Sequence, residues 1–86
     1  MSEANSTARL ELVYPIEQVT QPIIYHLVSD YRLIPNVRRA RIDAHTGGVM
    51  VLDVIGSKED ISKAVHYLTE LGITVTEIGS VESWDI

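Results

Sequence analysis

From Val37 to Ile55 the chain reads as two alternating runs joined by Thr46, Gly47 and Gly48. In the first run Ala40, Ile42 and Ala44 fall on one side and Arg39, Arg41, Asp43 and His45 on the other. In the second, Met50, Leu52 and Val54 alternate with Val49, Val51, Asp53 and Ile55. A repeat of two residues is the period of a strand, and paired glycines supply the positive φ angles of a tight hairpin. The remaining segments have to be fitted around this hairpin.

Before it, Leu10, Leu12 and Tyr14 alternate with Arg9, Glu11 and Val13, which predicts a strand that Pro15 ends. Thr20 then suits a helix cap, with Pro22 in the first turn where its missing N–H costs nothing. Ile24, Leu27, Val28 and Tyr31 follow at helical spacing, and Pro35 is expected to stop that segment. After the hairpin, Ser57 and Asp60 resemble a capping box. The helix they open has Ile61, Ala64, Val65, Leu68 and Leu71 on one face and a Glu59–Lys63 pair outside. Gly72 is a natural helix terminator, and Ile73 to Ile78 read as a β-branched strand closed by Gly79.

The order strand, helix, strand, hairpin, strand, helix, strand is the ferredoxin-like split βαβ pattern: α+β, with a four-stranded antiparallel sheet and two helices on one face. The expected organisation is a disordered lead over residues 1–7, one domain over 8–81 and a tail over 82–86. If Met50, Leu52 and Val54 face the helices, Val49, Val51 and Ile55, with Val13 and Val75, form an apolar patch on the open sheet face. A homodimer interface is the simplest way to cover it.

Composition narrows the chemistry. Among 86 residues there is no cysteine, which excludes a disulfide, a Cys-ligated metal and a thiol nucleophile. His26, His45 and His66 lie on separate elements without the i, i+4 spacing of a helical metal pair, so structural histidines are expected, with no metal and no cofactor. No nucleophile elbow, phosphate loop or dinucleotide turn is present, and no catalytic residue is expected. The loop after the first strand, Pro15, Ile16 and Glu17, has no glycine, and its acidic residue would repel a phosphate. Lys and Arg number 7 against 12 Asp and Glu, and of the aromatic residues only Tyr14 falls on a strand, turned inward with Leu10 and Leu12, so nucleic acid is not an expected partner. No apolar run is long enough for membrane insertion and no signal peptide is readable, so a cytoplasmic location is the default expectation.

The charge is uneven. Residues 32–45 hold Arg32, Arg38, Arg39 and Arg41 against Asp43 alone. Within this stretch, Asn36, Val37, Arg38, Arg39 and Ala40 have two readings. Asn36 and the arginines are suited to holding a carboxylate, or they are a turn and the solvated side of a strand that resists mispairing. Trp84 likewise either packs on its own domain or docks on a partner.

Taken in order, Arg9-Leu-Glu-Leu, Gln21-Pro-Ile-Ile-Tyr25, Asn36-Val-Arg-Arg-Ala40, Gly47-Gly48, Leu52-Asp-Val-Ile-Gly56, Ile61, Ala64-Val-His-Tyr-Leu68, Gly72-Ile-Thr-Val75 and Ile78-Gly79 resemble the NIL domain. The resemblance runs from about Arg9 to Val81. It implies the ferredoxin-like fold and a non-catalytic regulatory role. Such domains sit at the C-terminus of methionine-importer ATPases, where they bind methionine, usually as dimers, or beside iron–sulfur ferredoxin modules. For a stand-alone chain the implied function is binding of an amino acid or sulfur-containing metabolite near Asn36 to Ala40. The alternative is an adapter docking on an iron–sulfur protein, a transporter or an enzyme. The sequence departs from the eponymous Asn-Ile-Leu. Val37 replaces Ile, and Arg38 replaces an apolar residue, which suits an anion, a carboxylate or a protein partner better than an apolar thioether pocket.

Overall fold

In a computed structural model of the chain, the described residues are 5–18, 22–43 and 45–80. The expectations placed on Thr20, Gln21, Ala44, Val81 and Trp84 lie outside them. Strand β1 (Ser6–Tyr14) leads through a short 3₁₀ turn (Ile16–Gln18) to helix α1 (Ile23–Ser29). Strands β2 (Ile34–Asp43) and β3 (Gly47–Gly56) form the hairpin, and helix α2 (Lys58–Glu70) precedes strand β4 (Thr74–Ser80). The antiparallel sheet has the order β2-β3-β1-β4. This is the ferredoxin-like arrangement, with the outer strands of the chain's two halves at the edges.

One sheet face carries the core. Leu10 and Leu12 of β1 and Leu52 and Val54 of β3 pack with Ile23 and Leu27 of α1, Ala64 and Leu68 of α2, and Leu33 and Ile73 beside the helices. The alternation read from the sequence explains why β1 and β3 contribute every second residue. Helix α2 is built as its sequence signals. The Ser57 hydroxyl accepts from the Asp60 backbone N–H at 3.0 Å, and Lys63 lies 3.4 Å from Glu59. At the other end Gly72 takes φ +87°, and the Gly72 and Ile73 N–H groups return to Thr69 and Leu68. These two bonds satisfy carbonyls that the helix leaves open.

Elsewhere the structure corrects the sequence reading. Strand β1 starts at Ser6, so the last two residues of the expected lead belong to the sheet. Pro22 is the cap residue of α1 and lies just before its first turn, and α1 ends at Ser29, well before Pro35. The helix buries Ile23 and Leu27, while Val28 is exposed. Pro35 lies inside β2, opposite Val54. It is tolerated there because β2 is an edge strand, where a missing N–H faces solvent. Only Gly47 of the glycine pair has positive φ, at +104°. Val75 pairs with Leu12 and packs against the core, so it does not belong to the open face, and β4 runs through Gly79 to Ser80.

Tyr14 closes the core under the hairpin, with its hydroxyl 3.9 Å from the Met50 Sδ. Burial raises its pKa above the usual tyrosine value. The folded state therefore holds the phenolic proton more tightly than the unfolded chain. Stability is retained below the ordinary value near 10 and lost as pH rises from there through the raised folded value. Tyr14→Phe should remove this part of the alkaline loss. It should change neutral-pH stability by less than about 1 kcal/mol, because a thioether is a weak acceptor to lose. Urea unfolding from pH 7 to 11 reads both effects.

Candidate functional site

The sheet face away from the helices is organised in cross-strand rows. At the hairpin end Arg41, Val49, Val13 and Thr74 lie side by side. The next row is Arg39, Val51, Glu11 and Thr76, and the next is Asn36, Asp53 and Arg9. Ile34, Ile55 and Thr7 follow. The residues expected at a dimer interface, Val49, Val51 and Ile55, all stand on this face, with Val13 beside Val49.

The five residues of the expected ligand segment do not share a face. Val37 pairs with Leu52 and Ala40 with Met50, so both stand on the helix side of the sheet. Asn36 pairs with Asp53 and Arg39 with Val51 on the open side. In a regular strand Arg38 and Arg39 would point oppositely. The register shifts between Val37 and Arg39, so Arg38 is an extra residue in the ladder. Its Nε lies 3.8 Å from Asp53 Oδ2, which puts it on the open side with its neighbour. Three of the five, Asn36, Arg38 and Arg39, are thereby brought together.

Asp53 anchors this group. It is only 3% exposed, and Arg9 Nε donates to its Oδ1 at 3.0 Å. An ionised carboxylate is costly to bury unless paired and hydrogen-bonded, and two guanidinium groups provide that here. Neither Asp53 nor Arg9 was expected at the site. The available signal was Asp53 itself, a lone carboxylate between Leu52 and Val54 in the most apolar strand of the chain.

Among the described residues, hollows open at two places on the surface. One, of about 280 Å³, lies at the hairpin end of the open face between Val13, Arg41, Asp43, Thr46 and Val49. The other, of about 510 Å³, lies on the helix layer beside Tyr31, Lys63, His66, Tyr67 and Glu70. There Tyr67 has its pKa raised by burial first, then by Tyr31 and Asp30. The histidines have local partners: His26 Nδ1 is 2.7 Å from Asp30, His66 Nε2 is 3.1 Å from Glu70, and the His45 backbone N–H donates to Asp43 at 2.7 Å. Among the described residues no three His, Asp or Glu side chains converge to hold a metal ion, and no helix is long and apolar enough to cross a membrane.

The NIL domain family model matches residues 8–77. The chain belongs to the NIL domain family. Its NIL fold superposes on the C-terminal domain of an ABC transporter ATP-binding protein from Enterococcus faecalis with a TM-score of 0.74. That alignment has 24% identity and covers 84% of this chain and 83% of the other. An uncharacterized protein of Synechocystis is 30% identical over 96% of this chain and 87% of its own length. The methionine import ATP-binding protein MetN of Ralstonia nicotianae is 33% identical over 73% of this chain. The L-aspartate semialdehyde sulfurtransferase iron-sulfur subunit of Methanocaldococcus jannaschii is 30% identical over 81%. This NIL domain corresponds to 19% of the first of these two larger relatives and 52% of the second. In both, the homologous segment is a module associated with other parts of the chain.

Proposed function

We propose that this NIL domain is a non-catalytic regulatory module that acts as a homodimer and binds a small carboxylate-bearing ligand, an amino acid or sulfur-containing metabolite, at the β2 rim of the open sheet face. The observation that carries this reading is the extra residue in β2, which gathers Asn36, Arg38 and Arg39 on one side. Asp53 holds Arg38 in place, so little side-chain freedom remains to be lost when an anion is bound. Two relatives bear names tied to sulfur chemistry, methionine import and a sulfurtransferase, which supports that ligand class. Regulation then follows from unequal affinity of the ligand for two dimeric or partner-bound arrangements.

Calorimetric titration with methionine, homocysteine and cysteine tests the ligand. A ligand at 100 times its Kd should add about 2.7 kcal/mol of stability, which raises the melting temperature of a domain this size by roughly 10 to 20 °C. Arg38→Ala should abolish the shift. Absence of heat and of any shift at millimolar concentrations overturns the ligand.

A second reading, an adapter that docks on a transporter, an iron–sulfur protein or another enzyme without any metabolite, is favoured by the modular place of the homologous segment in the larger relatives. It predicts that Arg38→Ala and Arg39→Ala abolish partner capture while metabolites leave stability unchanged.

A further inference from the structure

Among the described residues, Arg39, Arg41 and Glu11 on the open face have no ion-pair partner. Asp53 is satisfied by Arg9 and Arg38. Arg39 and Glu11 stand in one row with Val51 between them. Neighbouring strands are about 4.8 Å apart, so their backbones are roughly 10 Å apart, and among the described residues neither has an ion-pair partner. A long exposed arginine and a half-buried glutamate flanking an apolar residue on a flat face are a self-complementary pattern.

We propose that two copies pack open face to open face about a twofold axis running along β3, with Arg39 of each copy pairing with Glu11 of the other on either side of Val51. The inference rests on the homodimer reading above and assigns its geometry. A twofold operation exchanges positions, so a contact from Arg39 to Glu11 occurs twice, once in each direction. An axis along β3 carries each strand onto a partner running the same way, the near-aligned packing that two twisted sheets adopt. Along the same axis Val51 meets its copy, and Arg41 lays its aliphatic stem over the other copy's Val13. Val49, 37% exposed, and Val13, 41% exposed, lose their contact with water. A free carboxylate that binds Arg39 competes with Glu11 of the other copy for one guanidinium, so ligand occupancy and dimer strength become linked.

Sedimentation equilibrium of the whole chain tests the pairing. The native chain should dimerise, with a dissociation constant that rises with salt. Arg39→Glu and Glu11→Arg should each weaken the dimer on the order of tenfold or more, because each places like charges in contact. An equimolar mixture of the two variants should recover native affinity as a heterodimer, since both opposing pairs are then restored. The neutral variants Arg39→Gln and Glu11→Gln, singly and together, should show coupled losses. A monomeric native chain overturns the homodimer reading and this pairing with it. A native dimer that the single variants leave intact, or that the mixture fails to restore, overturns the pairing alone.

Discussion

Gly47→Ala should lower the stability of the domain by about 3 to 4 kcal/mol, a large share of the roughly 4 to 13 kcal/mol available to a chain of this length. Two costs add. Gly47 has φ +104°, where a Cβ is strained by about 1 to 3 kcal/mol. A Cβ there would also stand 2.2 Å from the Tyr14 carbonyl oxygen, an atom held by the sheet with nowhere to go. Gly72→Ala separates the two costs. Its φ is +87°, but the nearest atom to an added Cβ is Pro15 Cγ at 3.9 Å, so strain acts alone and about 1 kcal/mol is expected. Thermal unfolding should place Gly47→Ala more than about 12 °C below the native chain and Gly72→Ala within about 8 °C. Equal losses would mean that the contact with β1 contributes nothing.

Asp53→Ala should cost about 2 to 3 kcal/mol. Removing one partner of a fully buried ion pair costs about 3 to 5 kcal/mol. Here the stranded groups are arginines whose side chains keep 29% and 24% of their exposure, and each can turn its head toward water, which lowers the loss. The two arginines are not equivalent. Arg9 hydrogen-bonds the carboxylate at 3.0 Å while Arg38 stands at 3.8 Å, so Arg9→Met should cost more than Arg38→Met. Denaturant unfolding of the three variants gives the ranking Asp53→Ala, Arg9→Met, Arg38→Met. A larger loss for Arg38 than for Arg9 would contradict the geometry.

Much of the fold is legible because periodicity reports burial directly. Leu10, Leu12 and Tyr14 alternate as a half-covered strand must, and α2 displays its cap, its apolar face and its terminating glycine in order. The errors come where position in the sheet overrides local pattern. Pro35 reads as a stop, but an edge strand has no partner on one side to miss its N–H. Val28 fits a helical stripe, yet α1 is a seven-residue helix whose apolar contact begins at Ile23, so the stripe is rotated. Val75 is expected on the open face, whereas its pairing with Leu12 turns it to the core.

The site was less legible than the fold. Arg38 and Arg39 are adjacent letters, and alternation sends adjacent strand residues to opposite faces. Only the extra residue in the pairing with β3 overrules this, and no local signal marks where a ladder will slip. Alternation turns Asp53 away from the helices but does not predict that it is buried. Its burial depends on Arg9 and Arg38, which are far from it in sequence and reach it only after the sheet has formed.

The surplus position in β2 also separates what the sheet requires from what its surface offers. Residues Ile34 to Val37 pair in one frame with β3, and Arg39 to Asp43 in the next. Excising Arg38 brings the two frames into a single uninterrupted ladder, with Arg9 still on Asp53. The rim is thus formed by a residue that the regular pairing of the hairpin does not require, and the sheet carries it as an addition to its ladder.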